Sequence, residues 1–153
     1  MNTIKVAKEA KTVCWNGMPT VDKPWGSYTD LFRTNYLVFK QIVVNPHSRL
    51  SLQRHDERGE FWFVVKGKGY LVYGDVEHRI SEGSHIEIPV GMVHCLINDS
   101  DKILIVYEMQ FGVCSEDDIV RLDDEYGRTN DSSLGTGCPR KICDVLPKGK
   151  NDA

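Results

Sequence analysis

The chain has 153 residues, 41% of them hydrophobic and 27% charged, which is enough for one domain with a buried core. Its formal net charge is -3, with acidic and basic residues interspersed, and this argues against nucleic acid and membrane surfaces as partners. No apolar run is long enough to span a bilayer and the first residues do not resemble a signal peptide, so we expect a cytoplasmic protein.

The five cysteines are an odd and scattered set, which is typical of reduced thiols rather than of a disulfide framework. Cys138 and Cys143 could pair or bind a metal, but the spacer between them matches no strong zinc pattern. The cysteines therefore favour a reducing compartment.

Taken in chain order, residues 1–22 mix charge, glycine and proline without a sustained period, and they predict an N-terminal arm. A proline and glycine corner at residues 24–26 then leads into the first strand. The next runs are rich in β-branched and aromatic residues and end in turn signals; they predict strands at residues 36–44, 50–55, 60–66, 70–73, 76–80, 85–88, 93–98 and 102–111. Gly74 and Asp75 predict the turn of a hairpin.

Short strands that alternate with turn signals predict an all-β fold, an antiparallel sandwich or barrel, as a single domain over residues 23–128. The only helical signal predicts one turn over residues 115–118, with Ser115 as its cap. Residues 129–153 are polar and rich in glycine and proline, and they predict a C-terminal tail.

A cluster of possible metal ligands lies at the boundary between two predicted strands. Side chains alternate along a strand, so Gln53 and His55 point the same way, and Glu60 begins the next strand after a short turn. His94 follows a rigid proline and glycine corner and can complete the set. Two imidazoles, a carboxylate and an amide oxygen suit Zn²⁺, with Mn, Co, Ni or Fe as alternatives. The competing interpretation is a group of surface histidines and solvated turn carboxylates.

Two motifs carry a resemblance to a known superfamily. The first cupin motif is matched by Gln53-x-His55, four residues, Glu60, six residues and Gly67, with Gln53 in the place of the usual first histidine. The second is matched by Gly83, five residues, Pro89-x-Gly91, two residues, His94, three residues and Asn98. The chain therefore resembles a cupin, which implies a double-stranded β-helix, the jelly roll of two packed sheets.

A narrower resemblance is carried by PWGSY at 24–28, IVVNP at 42–46, RLSLQ at 49–53, R-x-E-x-W at 58–62, EDDIVRL at 116–122 and EYGR at 125–128. These segments are similar to the type II mannose-6-phosphate isomerase domain, over roughly residues 24–128. In that family the domain is commonly the C-terminal half of a bifunctional enzyme whose other half is a mannose-1-phosphate guanylyltransferase. No glycine-rich nucleotide-binding segment precedes it here, so we do not expect guanylyl transfer from this chain.

The resemblance implies a metal-dependent isomerase that interconverts mannose 6-phosphate and fructose 6-phosphate in carbohydrate metabolism and polysaccharide biosynthesis. The family usually carries a run of histidines where this chain has His55-Asp56-Glu57. Glu57 could therefore act as an alternative carboxylate ligand or as a base. It is the first candidate for proton transfer, with Glu87 or a metal-bound hydroxide as alternatives. Further departures at Gln41, His47 and Phe61 concern the substrate more than the metal site.

Cations for a substrate phosphate are implied by the same resemblance. Lys40 and Arg49 lie at positions where the family has basic residues, and Arg58 falls in its Arg-x-Glu segment, next to the reacting groups. Trp62 shares a strand face with Glu60, so it can line the floor of the cavity near the metal and contact the substrate; the competing interpretation is a tryptophan of the core.

Two other functions are compatible with the same residues. One is a non-catalytic cupin that binds a sugar or a nucleotide sugar, and the other is an Fe-dependent cupin dioxygenase. Exposed edges of a jelly roll, together with the N-terminal arm, also predict a homodimer.

Overall fold

The computed structural model of the chain describes residues 5–6, 13–14 and 18–128. In these residues the strands are, in chain order, β1 Lys5–Val6, β2 Val13–Cys14, β3 Thr20–Lys23, β4 Gly26–Arg33, β5 Leu37–Val44, β6 Ser48–Arg49, β7 Leu52–Arg54, β8 Arg58–Lys66, β9 Lys68–Tyr73, β10 Val76–Ser81, β11 His85–Ile88, β12 His94–Asn98, β13 Leu104–Gly112 and β14 Val120–Asp123. Within the same residues, no helix is long and apolar enough to cross a membrane.

Two six-stranded antiparallel sheets form the domain. Sheet I has the strand order β11-β8-β13-β5-β4-β3. Sheet II has the order β10-β9-β12-β7-β14, and β6 also pairs with β12. Among the described residues, the short strands β1 and β2 pair with each other. The prediction of an all-β fold with two antiparallel sheets is confirmed.

The hydrophobic core lies between the two sheets. Trp62 and Val64 of β8 in sheet I share one buried cluster with Leu71 and Leu96 of sheet II. Neighbouring residues along a strand point to opposite faces, so Phe61, between Glu60 and Trp62, lies on the outer face of sheet I. The inner faces are apolar over most of their area and polar at one end, where the predicted metal ligands lie.

Every strand predicted between residues 36 and 111 forms, and its ends move by no more than two residues. Among the described residues, five strands were not predicted: β1, β2, β3, β6 and β14. Strand β3 begins at Thr20 and pairs with β4, so the sheet starts before the predicted boundary between arm and domain. The predicted tail at residues 129–153, which includes Cys138 and Cys143, lies outside the described residues, as does most of the predicted arm.

The predicted helical turn over residues 115–118 is wrong, because these residues form a non-helical turn between β13 and β14. Ser115 still caps this turn, since its hydroxyl accepts a hydrogen bond from the N–H of Asp117 at 3.2 Å. The carboxylate of Asp118 accepts hydrogen bonds from the N–H groups of Asp56 at 2.8 Å and Glu57 at 3.0 Å. Because these hydrogen bonds hold the segment against the β7–β8 connection, which is distant in sequence, the chain does not continue into a helix after this turn.

Asn98, the last residue of the second motif, ties the two sheets together. It is fully buried at the end of β12, and its side-chain N–H donates to the carbonyl oxygens of Val44 at 3.1 Å and Lys102 at 2.8 Å. Gly69 allows another close approach, because a Cβ atom there would lie 2.1 Å from the carbonyl oxygen of Ile97 on β12. These contacts fix β12, which carries His94 at its other end.

Candidate metal centre and cavity

The four predicted metal ligands meet at one end of the space between the sheets. Gln53 in β7 and His94 at the start of β12 are direct partners in the antiparallel register of sheet II. His55 directly follows β7, and Glu60 comes from β8 in sheet I. His55, Glu60 and His94 are buried, and their ligating atoms lie within 4.8 Å of one another. The fold therefore brings one carboxylate from one sheet against two imidazoles from the other.

The Glu60 carboxylate lies between the two imidazoles. Its Oε1 is 3.0 Å from Nε2 of His55, and its Oε2 is 3.5 Å from Nε2 of His94. Burial alone would raise the pKa of Glu60, but hydrogen bonds to both histidines and their charges hold it well below its usual range. Burial likewise opposes a charged His94, yet the Glu60 carboxylate raises the pKa of that imidazole.

Backbone carbonyl groups set the tautomer of each histidine. Nδ1 of His55 lies 2.5 Å from the carbonyl oxygen of Asp118, and Nδ1 of His94 lies 2.9 Å from that of Met92. Because a carbonyl oxygen can only accept, each Nδ1 carries a hydrogen, and Nε2 of each ring is the nitrogen that faces Glu60 and can offer a lone pair to a metal once it carries no hydrogen. This is the arrangement of metal-ligating histidines held by outer hydrogen bonds, so the residues fit a divalent metal.

The Gln53 side chain lies beside this group with its amide turned away. Ser51 donates to Oε1 of Gln53 at 2.9 Å, and Nε2 of Gln53 faces Nε2 of His94 at 3.5 Å. An amide ligates a metal through its oxygen. Gln53 can therefore act as a ligand only after its side-chain amide rotates so that Oε1 and Nε2 exchange positions.

Two neighbouring side chains hold Glu60 in place. The indole N–H of Trp62 donates to Oε2 of Glu60 at 3.0 Å, and the Trp62 ring packs edge-on to His94. Trp62 is fully buried behind the carboxylate, so it supports Glu60 instead of lining the cavity floor as predicted. Arg58 does line the cavity: its Nε lies 3.4 Å from Oε1 of Glu60, and its Nη1 donates to the carbonyl oxygen of Ser115 at 2.6 Å.

A cavity opens next to the Gln53, His55, Glu60 and His94 group, with an empty volume of about 600 Å³ including its open mouth. Its charged lining residues are Lys23, Lys40, Arg58, Glu60, Glu108, Glu116, Arg121 and Arg128. The five cations outnumber the three carboxylates, so the lining favours an anionic ligand.

Glu108 and Gln110 of β13 line the cavity, and neither was predicted from the sequence. They are buried, and Nε2 of Gln110 donates to Oε1 of Glu108 at 2.6 Å. Within the described residues, Oε1 of Gln110 has no hydrogen-bond partner. Burial and the nearby Glu60 carboxylate raise the pKa of Glu108 to about 7. Glu60 pairs with Gln110 in the register, which makes Glu108 a diagonal neighbour of Glu60, at about 7–8 Å between backbones.

The spacing of Glu108 and Gln110 could have identified them as site residues from the sequence. Glu108 and Gln110 are two apart in a strand that is otherwise rich in apolar residues, and they share a face with Leu104 and Val106. Polar residues on the core face of a strand are typical of a site, because a buried polar group needs a partner.

Cations lie at two depths in the cavity. Lys40 lines it as predicted, and its ammonium lies 3.1 Å from Glu116 and 4.3 Å from the centre of the Tyr28 ring. Arg121 and Arg128 line the cavity next to the last described residues of the chain. Burial and the charge of Arg128 lower the pKa of Arg121, which indicates that the two guanidinium groups lie close together.

Three predicted residues are not brought to the cavity. Arg49 contacts Asp123 at 3.0 Å and Glu125 at 2.7 Å, on the outer side of sheet II. Glu57 is exposed in the β7–β8 connection, and Glu87 is exposed on the outer face of β11. None of the three lines the cavity, so their predicted roles have no support in this geometry.

Comparison with known proteins gives an independent match. Residues 11–124 match the family described as mannose-6-phosphate isomerase C-terminal. The chain is 40% identical over 115 residues to the alginate biosynthesis protein AlgA of Pseudomonas aeruginosa, a match that covers 74% of this chain and 24% of AlgA. It is 40% identical over 110 residues to the xanthan biosynthesis protein XanB of Xanthomonas campestris, covering 71% and 24%. The chain thus spans about a quarter of the length of these curated relatives.

Solved structures agree on the fold. The capsular polysaccharide assembling protein CapF of Staphylococcus aureus superposes with a TM-score of 0.65 at 19% identity, over 72% of this chain and 34% of CapF. A cupin-2 domain protein of Rhodospirillum rubrum superposes with a TM-score of 0.58 at 18% identity, over 69% of this chain and 80% of that protein. At such identities the likeness concerns the fold alone, and it confirms the predicted double-stranded β-helix.

Proposed function

The chain belongs to the mannose-6-phosphate isomerase C-terminal family, and from this we propose that it interconverts mannose 6-phosphate and fructose 6-phosphate with a divalent metal. The observation that carries the proposal is one cavity, lined by Glu60 of the His55, Glu60 and His94 group, that also contains a second buried carboxyl group and an excess of cations. An aldose–ketose isomerase needs these three parts: an electrophile at the sugar oxygens, an acid–base group and a counter-charge for phosphate.

We propose His55, Glu60 and His94 as the metal ligands, with Gln53 as a fourth after its amide turns. A metal held there, Zn²⁺ first and Mn, Co, Ni or Fe as alternatives, supplies polarisation of the carbonyl and hydroxyl oxygens at the reacting carbons. The carbonyl groups that bind Nδ1 of each histidine keep both Nε2 atoms aimed at one point. Trp62 and Arg58 keep the Glu60 carboxylate from turning away.

Glu108 is the proposed proton-transfer group, in place of Glu57. Its carboxylate takes the proton from the carbon beside the carbonyl group, which gives the enediolate. The hydroxyl proton on that carbon passes to the former carbonyl oxygen, and the carboxylic acid of Glu108 then returns its proton to the former carbonyl carbon. A pKa of about 7 leaves both forms of Glu108 populated near neutral pH, as this exchange requires. Glu57 and Glu87 are exposed and do not line the cavity.

Gln110 supports a polyhydroxylated substrate. Its Oε1 faces the cavity side of β13 without a hydrogen-bond partner among the described residues, and a buried acceptor of this kind is stabilised when a ligand donates to it. A sugar hydroxyl is such a donor. We therefore propose that Gln110 accepts a hydrogen bond from the substrate while its amide N–H holds Glu108.

Arg121 and Arg128 are proposed to bind the substrate phosphate. Arg128 is held by the Asp124 carboxylate at 2.7 Å, which fixes its direction, and Arg121 lines the same cavity from β14. Two neighbouring guanidinium groups repel each other, and a phosphate dianion between them removes that repulsion. Lys40 lies deeper, close enough to Glu108 to favour its ionised form, so we propose that it contacts the sugar end of the substrate.

The test is a coupled assay that follows fructose 6-phosphate formed from mannose 6-phosphate by protein loaded with one metal at a time. Glu108→Gln is expected to lower kcat by roughly 10²-fold or more without loss of bound metal. Glu87→Gln and Glu57→Gln are matched controls that replace an exposed carboxylate and should retain activity.

The activity of the wild-type protein distinguishes the isomerase from the two alternative functions. If it forms no product with any of these metals, the isomerase proposal fails. Saturable binding of hexose phosphates without product would then support a non-catalytic sugar-binding cupin, and oxygen consumption restricted to Fe²⁺ would support a dioxygenase. Activity lost in Glu57→Gln but retained in Glu108→Gln would return the proton-transfer role to Glu57.

A further inference from the structure

The outer face of sheet I is apolar, and the proposed chemistry does not use it. In β8 and β13 the polar residues Glu60, Glu108 and Gln110 point inward, while large apolar side chains point to the outside. The outward residues are Phe61, Phe63, Val65, Met109 and Phe111, each between 38% and 42% exposed. We call these five residues the apolar face.

Strand register makes the apolar face continuous. Phe61 is the direct partner of Met109, and Met109 is in turn the partner of Phe39 on β5. The Phe39 ring packs edge-on against Tyr107, the partner of Phe63, with ring centres 5.5 Å apart. The apolar residues therefore form one surface across three adjacent strands, and they are not scattered single side chains.

The size of this surface matches that of a protein interface. An aromatic side chain contributes about 150–250 Å², so the apolar face together with half-exposed Phe32 presents on the order of 500 Å². A stable interface covers about 800 Å² of each partner, and somewhat more than half of that area is apolar. The apolar face supplies the apolar part of such an interface.

We infer that the apolar face binds a second copy of this chain, so that the outer faces of two sheets I pack against each other around a two-fold axis. The five residues carry no charge, so a partner has to present an equally apolar and uncharged surface. A two-fold axis through the face places the same surface against itself and meets this requirement without any other protein. Sheets pack face to face in this way at about 10 Å.

Residues 18–128 away from sheet I and residues 129–153 offer a poorer match to the apolar face. Among the described residues, the other large exposed apolar side chains away from sheet I, such as Val76 and Val90, are separate from one another in the chain. Residues 129–153 contain no aromatic residue and carry several charges, so their sequence does not complement a surface of phenylalanine and methionine. A second copy is the occupant that these observations favour.

The first measurement is the mass of the full chain by sedimentation. We expect the wild type to sediment at twice its chain mass of 17.4 kDa. Met109→Glu places a charge in the centre of the apolar face and is expected to give the monomer. The matched control is Val76→Glu, an exposed valine on β10 of sheet II, which should remain dimeric. A monomeric wild type, or a Met109→Glu dimer as stable as the Val76→Glu dimer, overturns the inference.

A second measurement uses the wild type alone and does not depend on the folding of a variant. Met109 and Met18 have similar exposures in the single chain, 40% and 37%, so they should be oxidised by hydroxyl radicals at similar rates if both are free. In the dimer, oxidation of Met109 should slow several-fold relative to Met18, and dilution to the monomer should restore it. Equal rates in the dimer, or slow oxidation of Met109 in the monomer because the chain covers its own face, contradict the inference.

Discussion

Replacing Glu108 by glutamine is expected to stabilise the metal-free protein, and to do so only above the pH at which the carboxyl group ionises in the unfolded chain. Burial is the main cause that raises the pKa of Glu108 from 4.5 to about 7, with the Glu60 carboxylate as the second. The folded state thus binds this proton more tightly than the unfolded state does. Ionised Glu108 therefore destabilises the fold, and a glutamine at the same position cannot ionise.

The magnitude follows from the two pKa values. Below pH 4.5 the carboxyl group is protonated in the folded and in the unfolded state, so its ionisation does not lower the free energy of unfolding. The cost grows as the pH rises to about 7 and is constant above it, at roughly 3 kcal/mol from about 1.4 kcal/mol for each pKa unit. The glutamine side chain can still accept the hydrogen bond from Gln110, so most of this energy should appear as a gain in stability.

Urea denaturation of wild type and Glu108→Gln, both with a chelator present, measures this gain. The difference in unfolding free energy should widen by about 2 kcal/mol between roughly pH 5 and roughly pH 8. Glu87→Gln, which replaces an exposed carboxylate, should stay within about 0.5 kcal/mol of the wild type at both pH values. A Glu108→Gln variant that is destabilised equally at both pH values would refute the reasoning, since Glu108 would then act only as a packing and hydrogen-bonding residue.

Three further predictions concern the metal, the phosphate and the fold. Trp62→Phe removes the N–H that binds Glu60 and should weaken metal affinity roughly 10- to 100-fold, as measured by competition with a chromogenic chelator. Arg121→Met should raise KM for mannose 6-phosphate by roughly 10²-fold with a smaller effect on kcat, because a charge-assisted phosphate contact is lost in the ground state and the transition state alike. Gly69→Ala should cost about 3 kcal/mol or more in unfolding free energy, because the new Cβ would collide with the carbonyl oxygen of Ile97.

Each of these variants has a matched control. Trp25→Phe replaces another buried tryptophan, outside the Glu60 contact, and should leave metal affinity unchanged. Arg79→Met removes an exposed cation of sheet II away from the cavity and should leave KM unchanged. Gly83→Ala adds a Cβ in open space at a φ of +86°, so it should cost only about 1–2 kcal/mol. If a variant and its control had equal effects, the contact on which that prediction rests would not have the expected role.

The sheets were predictable because strand period and turn residues are local. The spacing of Phe61, Trp62 and Phe63 already places Trp62 on the face opposite to its two neighbours, and the structure confirms this alternation. Strand β14 was missed because its four residues, VRLD, have no clear pattern of their own and become a strand only by pairing with β7. The predicted helical turn failed for the same reason, since the contacts of Asp118 with the β7–β8 connection are distant in sequence.

For the site, residues within strands were easier to place than residues in turns. The period of two positions predicted that Gln53 and His55 point the same way, and in the structure Gln53 lies beside the His55, Glu60 and His94 group. Glu57 lies in the connection, where the period stops, and its proximity to the ligands in sequence does not aim its side chain. Glu108 could have been found from polarity on a core face, but its distance from the ligands depends on how β13 pairs with β8.

The contacts of Asp118 link His55, a proposed metal ligand, to a segment that lies outside both sheets. The carbonyl oxygen of Asp118 binds the imidazole of His55, and its carboxylate binds the N–H groups of Asp56 and Glu57. A single residue therefore holds three consecutive residues of the β7–β8 connection in place. Local opening of residues 115–119 would free the imidazole while the sheets remained intact. The rate of metal release should then follow the hydrogen-exchange rates of the Asp56 and Glu57 amides, so that the lifetime of the loaded site is set by a surface turn and not by global unfolding.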